Sequence, residues 1–377
     1  MTDLLVLKLF DPESAQAPEF RYLWSHTLLE ARAAFDAVDA AVAGEAPFPA
    51  GRRDAVLLVG GANVLIGRRS LAAMRAALAA GAAEVRPERL ADIGLAADRP
   101  VYTLRGYERL ERLFLDDPGA ASPARLPAPP PPVALFSWEA WERLAAGRSL
   151  AELLGDPALF AERHGAARAG LCHEFIDYYG EVRDDILPFV PPGAREVLEV
   201  GCGRGATGRL LQERLGCRVT GVELNPLAAR EAARHLHRVV QGDVEELELE
   251  GPFDLVLALE LVEHLVESEA FLGRLPRLLA PGGRAVFSIP NVGHYAVVED
   301  LLAGRWDYLP IGLLCYTHYR FFTRRTLEDW LRRAGLERFT LYPQRTELPA
   351  RFAQLPAPFD VDRESLSTKG FYVVVER

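Results

Sequence analysis

The sequence predicts an α/β protein whose second half forms a seven-stranded sheet. Short apolar runs typical of buried parallel strands alternate in that half with segments of helical periodicity. A glycine-rich turn follows the first of these runs, which is where an open α/β sheet presents a ligand. The 377 residues, of which 49% are hydrophobic, are enough for one large core or two medium ones.

The glycine-rich turn lies in the stretch from Glu196 to Gly208, E-V-L-E-V-G-C-G-R-G-A-T-G. Within residues 203–208 the pattern G-x-G-x-x-G, with Glu223 about 20 residues further on, fits a dinucleotide-binding fingerprint and predicts an NAD-dependent oxidoreductase. Within residues 199–205 the pattern E-x-G-x-G-x-G resembles the first motif of class I S-adenosylmethionine (SAM) methyltransferases. A turn that only packs a helix on a sheet is a third interpretation.

The composition argues against several partners and compartments. A net charge of −10 and a pI of about 5.4 disfavour nucleic acid, whose phosphates require a basic surface. The four cysteines show neither a C-x-x-C pair nor a metal-ligand spacing, so no metal is predicted and a reducing compartment is expected. No apolar run approaches the roughly 18 residues of a membrane helix, and no secretory signal pattern is present. We therefore expect a cytoplasmic protein without a transmembrane segment.

Residues 1–117 are predicted to form a smaller α/β domain. Strands are expected at residues 4–7, 55–59 and 101–104, and helices at residues 20–42, 71–80 and 107–115. Ser70 is the expected cap of the second helix. The strand at 55–59 runs into Gly60-Gly61-Ala62-Asn63.

A proline-rich linker at residues 118–133 and a helical bridge at residues 134–180 are predicted next. The linker ends in four consecutive prolines, which lack backbone donors and favour extended structure. A long ordered loop within one domain is the alternative.

Residues 181–377 are predicted to form the seven-stranded domain. Its strands are expected at 195–200, 218–223, 238–240, 253–259, 284–289, 337–342 and 370–375, with helices at 207–215, 226–236, from about 267, and at 326–334. Helices separate the first five strands, and the last two are expected to pair at the end of the chain.

The segment from Tyr178 to Val375 resembles a class I SAM-dependent methyltransferase, which implies a Rossmann-like sheet. Five motifs match in order: V-L-E-V-G-C-G-R-G, G-V-E-L-N-P, G-D-V-E, F-D-L-V-L-A-L-E-L-V-E-H-L and L-L-A-P-G-G-R-A-V-F-S-I-P-N. More narrowly, S-I-P-N-V-G-H, L-L-A-G-R-W-D-Y and T-H-Y-R-F-F-T resemble methyltransferases encoded beside, or fused to, bacterial glycosyltransferases. The ordered set favours SAM over a dinucleotide.

The resemblance implies a role for each matched position around SAM. Glu223 would accept the ribose hydroxyls, and Asp243 would bind the adenine amino group. Glu199 would hold the glycine loop or the methionine amino group. Arg183 would pair with the SAM carboxylate or lie on the surface. The full set of implied cofactor contacts is Tyr179, Arg183, Glu199, Gly201, Cys202, Gly203, Gly205, Glu223, Leu224, Asp243, Val244 and Glu260.

Methyl transfer to a hydroxyl requires positioned reactants and the removal of a proton. Histidine suits the role of base because it titrates near neutrality. His264, His294 and His318 are the candidates, and each has a structural alternative. In the structural alternative, His264 caps a helix or contacts the side of SAM. His294 and His318 are then structural residues of the segment that covers the acceptor.

The insert at residues 290–323 is long and aromatic, and long ordered loops are usually functional. Its aromatic and charged side chains suit a sugar or nucleotide-sugar acceptor. The expected acceptor contacts are His294, Arg305, Tyr308, His318 and Arg320. Similar proteins often carry an acid where this chain has Cys315.

Residues 1–150 faintly resemble part of a nucleotide-sugar glycosyltransferase. The acidic pair that would hold a metal on the diphosphate is absent, and Gly61-Ala62-Asn63 stands in its place. An unrelated accessory domain is the alternative. The sequence thus predicts a methyltransferase acting on a sugar, a glycan or a related small molecule. A bifunctional or scaffold protein that works with glycan-assembly enzymes is the second hypothesis.

Overall fold

A computed structural model describes residues 3–8, 18–42, 52–59, 64–89, 102–116, 133–148, 166–174, 179–309, 311–353 and 361–377. The chain divides into two compact units, Met1–Ile176 and Asp177–Arg377. Within these ranges each unit contains one sheet of seven strands.

The first unit is built on a mixed sheet. Its strands are β1 (Asp3–Lys8), β2 (Ala37–Val42), β3 (Ala55–Val59), β4 (Val64–Ile66), β5 (Glu84–Arg89), β6 (Val133–Ser137) and β7 (Ala167–Glu174), in the order β2-β1-β3-β6-β5-β7-β4. Its helices are α1 (Pro18–Ala34), α2 (Arg68–Ala79), α3 (Leu104–Asp116) and α4 (Trp138–Ala145). Strand β6 is antiparallel to both of its neighbours, β3 and β5.

Three predicted elements of the first unit differ from the structure. The helix expected at 20–42 ends at Ala34, and Ala37–Val42 is a strand because it pairs in parallel with the edge of β1. Ser70 does not cap α2, which begins at Arg68 after Gly67; its hydroxyl instead donates to the buried carboxylate of Glu111 at 2.6 Å. The expected strand at 101–104 is absent among the described residues 102–104, since α3 begins at Leu104.

The predicted helical bridge at 134–180 is also wrong. Val133–Ser137 and Ala167–Glu174 are strands because their apolar residues are buried against β3 and β5, and only Trp138–Ala145 between them is described as a helix. The first unit consequently extends to Ile176 rather than to residue 117. Residues 118–132 of the predicted linker and the Gly60–Asn63 stretch lie outside the described residues.

The second unit has the Rossmann-like sheet that the sequence predicts. Its strands are β8 (Glu196–Val200), β9 (Arg218–Glu223), β10 (Arg238–Gln241), β11 (Phe253–Leu259), β12 (Leu279–Pro290), β13 (Phe339–Arg345) and β14 (Thr368–Glu376), in the order β10-β9-β8-β11-β12-β14-β13. The first five are parallel, and β14 lies antiparallel between β12 and β13. Its helices are α5 (Ala206–Leu215), α6 (Pro226–Ala232), α7 (Ser268–Leu278), α8 (Tyr295–Leu302), α9 (Arg324–Arg333), α10 (Ala350–Ala353) and α11 (Arg363–Leu366).

The parallel strands of this sheet bring their carboxyl ends to one edge. The loops after β8, β9, β10, β11 and β12 therefore meet there, as they do at the ligand-binding edge of other open α/β sheets. Strands β8 and β11 form the centre of the core, with Leu198, Val200, Val256 and Ala258 almost fully buried. The rigid centre fixes the positions of the loops that follow it.

The structure also bears on the predictions about membrane-spanning segments and cysteines. None of the helices in the described ranges combines the length and apolar character needed to cross a membrane. The four cysteines, all within those ranges, are buried and form no disulfide bond.

Candidate active site

The glycine loop connects β8 to α5 and closely approaches the segment that precedes β8. Gly203 has a φ of +53°, and a Cβ atom there would lie 2.5 Å from the carbonyl oxygen of Tyr179. That carbonyl accepts a hydrogen bond from the backbone N–H of Arg204 at 2.8 Å. Only glycine fits this approach, because any side chain would both clash and strain the backbone. Tyr179 is thus part of the loop's framework.

The carboxylate of Glu223, at the end of β9, holds two loops together. One oxygen accepts from the N–H of Gly203 and the other from the N–H of Asn225, both at 2.8 Å. The residue is 6% exposed, and burial raises the pKa of its carboxyl group. Each carboxylate oxygen has a further lone pair, so Glu223 can also accept hydroxyl donors from a ligand.

Glu199 lies beneath the glycine loop. It is buried in β8, and one of its oxygens has no hydrogen-bonding partner. A Cβ atom on Gly208 would lie 2.6 Å from this side chain, so the helix approaches β8 only because residue 208 is glycine. Burial raises the pKa of Glu199 to about 8, and the nearby carboxylate of Glu223 adds to this effect. The position favours a role in supporting the loop.

Arg183 is placed at the carboxyl edge of the sheet rather than on the open surface. Its guanidinium forms an ion pair with Asp185 at 2.9 Å and donates to the hydroxyl of Ser288 at 3.3 Å. The Ser288 hydroxyl also accepts from the backbone N–H of Glu260 at 3.0 Å. Despite the cost of burial, the pKa of Arg183 is raised by its bond to Asp185 and by the charge of Glu260. Arg183 therefore links the segment before β8 to the ends of β11 and β12.

The remaining implied cofactor residues surround the same edge. Asp243 follows β10 and accepts the N–H of Glu245 at 2.8 Å. Val244 is 5% exposed whereas Leu224 is 64% exposed, so the two expected faces of an adenine site differ in exposure. Cys202 is buried within the glycine loop, and burial raises the pKa of its thiol.

Glu260 follows β11 with a backbone φ of +48°. It is the only described residue other than glycine that adopts a positive φ. Such a conformation costs free energy for a residue with a Cβ atom, and it is concentrated at functional sites. The unusual backbone conformation therefore agrees with the prediction that Glu260 belongs to the cofactor site.

Two of the three candidate bases lie together beside this point. The rings of His264 and His318 are 4.5 Å apart between centroids, although the residues are far apart in sequence. The hydroxyl of Thr317 contacts Nδ1 of His264 at 2.9 Å and the sulfur of Cys315 at 3.1 Å. Burial lowers the pKa of His264 to about 4 and that of His318 to about 3. Both imidazoles are therefore neutral at neutral pH.

His294 has a structural position, which favours the structural alternative over the predicted role as base. The side chain is fully buried, and Nδ1 accepts from the N–H of Ala296 at 3.4 Å, which caps α8. The other nitrogen, Nε2, contacts the hydroxyl of Thr346 at 2.9 Å. Both ring nitrogens are engaged inside the protein, so the roles of His294 as base and as acceptor contact stay predictions that this position does not favour.

The acceptor contacts predicted in the insert divide into exposed and structural residues. Arg320 donates to the carbonyl oxygens of Leu265 at 2.7 Å and Val266 at 2.8 Å, so it fastens the insert to the loop after β11. Arg305 forms an ion pair with Asp307. Tyr308 is 41% exposed.

Sequence reasoning missed Glu263 at this edge, and it noted Cys315 without assigning it a role as a ligand. Cys315 lies in a C-x-x-H pattern with His318, which was a detectable signal for a metal ligand. Glu263 is fully buried, and neither of its carboxylate oxygens has a hydrogen-bonding partner. Its role depends on the fold of the insert, so no local pattern indicated it.

Several proteins of known name are similar to part of this chain. A family model described as a methyltransferase domain matches residues 172–340. The ubiquinone biosynthesis O-methyltransferase of Nitrosococcus oceani is 30% identical over 185 residues, which cover 44% of this chain and 78% of that protein. The enzyme of the same name from Xanthomonas axonopodis pv. citri is 36% identical over 158 residues, covering 39% of this chain and 64% of that protein. Among solved structures, phosphoethanolamine N-methyltransferase 2 of Haemonchus contortus in complex with SAM is 18% identical, with a TM-score of 0.36, over 50% of either chain.

Proposed function

The chain belongs to the SAM-dependent methyltransferases, and we propose that it transfers the methyl group of SAM to a hydroxyl oxygen of a small-molecule acceptor. The observation that carries the proposal is the position of Glu223. A buried carboxylate ends the second strand of the sheet and also anchors the glycine loop. The curated relatives are named O-methyltransferases, which supports oxygen as the methylated atom.

The residues at the sheet edge fit SAM. Because the glycines of the loop carry no side chain, the backbone of the loop can lie against the methionine part of SAM. Glu223 offers lone pairs to the ribose hydroxyls of SAM. Asp243, Val244 and Leu224 are the residues that would hold the adenine. Because Arg183 is already paired with Asp185, we assign it to fixing the edge more than to binding the SAM carboxylate. SAM supplies a methyl group activated by a positively charged sulfur, so the protein mainly positions the reactants.

The acceptor side is assigned to the cluster of His264 and His318. It lies immediately after β11, where the expected base must stand, and His264 is the less buried of the two. A hydroxyl acceptor must lose its proton as its oxygen forms the bond to the methyl carbon. Neutral imidazoles at this position can accept a hydrogen bond from that hydroxyl and orient it as it releases its proton.

For the acceptor we propose a sugar or glycan hydroxyl. Exposed aromatic faces at Tyr308 and Tyr319, in the insert that follows β12, support this assignment. The names of the curated relatives favour a competing class, a hydroxylated ring related to ubiquinone biosynthesis. The two classes differ in charge and planarity, so a single assay separates them.

The test is methyl transfer from SAM to a panel that contains nucleotide sugars and hydroxylated aromatic compounds. Mass spectrometry is expected to detect one added methyl group on a nucleotide sugar, and none when Glu223→Ala replaces the wild type. Methylation of the aromatic compounds alone would reject the sugar acceptor and keep the O-methyltransferase. A protein that binds no SAM would reject the proposed activity altogether.

A further inference from the structure

We propose that His264, Cys315 and His318 bind a soft divalent cation of the Zn²⁺ class. One ring nitrogen of each histidine and the sulfur of Cys315 lie within 4.8 Å of one another. Two imidazoles and a thiolate favour zinc over harder cations such as Mg²⁺, which prefer oxygen ligands. The site joins the turn at Val262–His264 to the far end of the insert.

The geometry requires only a small contraction. Zinc binds sulfur at about 2.3 Å and imidazole nitrogen at about 2.0–2.1 Å, so ligand atoms of a tetrahedral site stand roughly 3.5 Å apart. Atoms up to 4.8 Å apart must therefore approach one another by up to about 1.3 Å, which requires rotations of the side chains within their torsional wells.

Two buried polar groups beside the cluster support a cation there. Nδ1 of His318 is buried without a hydrogen-bonding partner, and so are both carboxylate oxygens of Glu263. One of these oxygens lies 3.9 Å from Nε2 of His318. Buried polar groups without partners cost free energy. A metal bound by His318 would remove part of that cost, with Glu263 as the carboxylate that orients a metal-bound histidine.

The surrounding hydrogen bonds hold the two halves of the site in place. The backbone N–H of Tyr319 donates to the carbonyl of Glu263 at 2.9 Å, and Arg320 fastens the same loop at Leu265 and Val266. The hydroxyl of Thr317 contacts both Cys315 and His264. Ligands held on rigid backbone lose little conformational entropy when they bind a metal, so the site is suited to tight binding.

Three protein ligands leave a fourth tetrahedral position, as in catalytic zinc sites. An acceptor hydroxyl bound there would have a lowered pKa and would release its proton to solvent before its oxygen attacks the methyl carbon. This second role rests on the proposed function. The binding of the cation does not, because it follows from the three side chains alone.

The test uses the full-length protein, first treated with a chelator and then titrated with Zn²⁺ and, separately, with Co²⁺. We expect stoichiometric binding of either metal and, for Co²⁺, a sulfur-to-metal charge-transfer band. Cys315→Ser and His318→Gln are each expected to weaken binding at least tenfold and Cys315→Ser to abolish the band. Cys217→Ser is the matched control, since Cys217 is also buried and lies outside the cluster.

Each variant is checked by its affinity for SAM, which a folded second unit retains. If one ligand variant does not fold, the other two ligand positions and the wild-type cobalt spectrum still decide the question. A wild type that binds no zinc or cobalt overturns the proposal, as does a folded Cys315→Ser variant that keeps the charge-transfer band. Zinc binding without methylation of any acceptor would overturn the proposed function and leave the metal site standing.

Discussion

The carboxylate of Glu223 accepts a hydrogen bond from the backbone N–H of Gly203 at 2.8 Å, which couples the end of β9 to the glycine loop. The same oxygen atoms are the ones expected to receive the ribose hydroxyls of SAM. The cofactor contact and the anchor of the loop are thus one group. A change at this position acts on both.

We expect the purified protein to bind SAM and its demethylated product, and to bind NAD far more weakly. The reason is that the sheet edge combines the glycine loop with Glu223, Asp243 and a buried Val244. Isothermal titration with the three ligands is the measurement. A heat of binding for NAD but not for SAM would instead support the interpretation of the glycine loop as a dinucleotide site.

Glu223→Ala is expected to reduce SAM affinity at least tenfold. A hydrogen bond to a charged group contributes about 1.5–3 kcal/mol, and about 1.4 kcal/mol corresponds to one decade in Kd. Glu223→Gln is the matched control, because it keeps one acceptor oxygen and should lose less affinity. Titration of both variants checks this, and equal affinity of wild type and Glu223→Ala would contradict the assignment.

His264→Ala and His318→Ala are expected to lower turnover by about 10²–10⁴-fold while SAM binding is preserved, which is the range for losing a group that assists proton removal. Both residues stand in one cluster beside the end of β11. Single-turnover rates with the true acceptor, together with SAM titration, are the measurements. Wild-type rates in both variants would place proton removal elsewhere.

His294→Ala is expected to lower stability rather than the rate per folded molecule. It removes a buried helix cap, and caps contribute about 0.5–2 kcal/mol. His294→Asn is the matched control, since asparagine is a strong cap in its own right. Chemical denaturation gives the free energy of unfolding. A stable His294→Ala variant that has lost its turnover rate would support the predicted catalytic role instead.

The stability of the second unit is expected to fall as pH rises, and Glu199 is one cause. Burial raises the pKa of Glu199 in the folded state to about 8, above that of the unfolded chain. The protonated form is therefore the stable one in the fold, and its contribution is complete below the unfolded pKa and lost as pH rises toward about 8. The glutamine of the Glu199→Gln variant cannot ionise. The free energy of unfolding of this variant should therefore rise relative to that of the wild type between about pH 5 and about pH 8. A constant difference across that range would show that Glu199 is ionised in the folded protein.

The sheet of the second unit could be predicted because its parallel strands are continuous apolar runs. Leu198 and Val200 are buried on one face of the sheet and Val197 and Leu255 on the other. A run that is apolar on both faces can be recognised from the sequence alone. Glu223 was predicted as a cofactor contact from a different signal, its place at the end of a strand about 20 residues beyond the glycine loop.

The rest depends on contacts between segments that are distant in sequence. Ala37–Val42 continues a helical pattern and becomes a strand only because β1 offers it an edge. His264 and Cys315 stand 51 positions apart in the sequence, and the fold of the insert brings them together. In the sequence, His294 and His264 both follow a predicted strand, so both are candidate bases. The buried contact of His294 with Thr346, which favours a helix cap, becomes visible only in the fold.

Glu260 retains a side chain at a backbone position where glycine would be the easier fit. Selection for thermal stability and selection for methyl transfer should therefore favour different residues at position 260. A library of variants selected for thermal stability alone should accumulate Glu260→Gly, whereas a library selected for methyl transfer should reject it. Comparison of the two outcomes would measure how much stability this enzyme gives up to keep a carboxyl group at the end of β11.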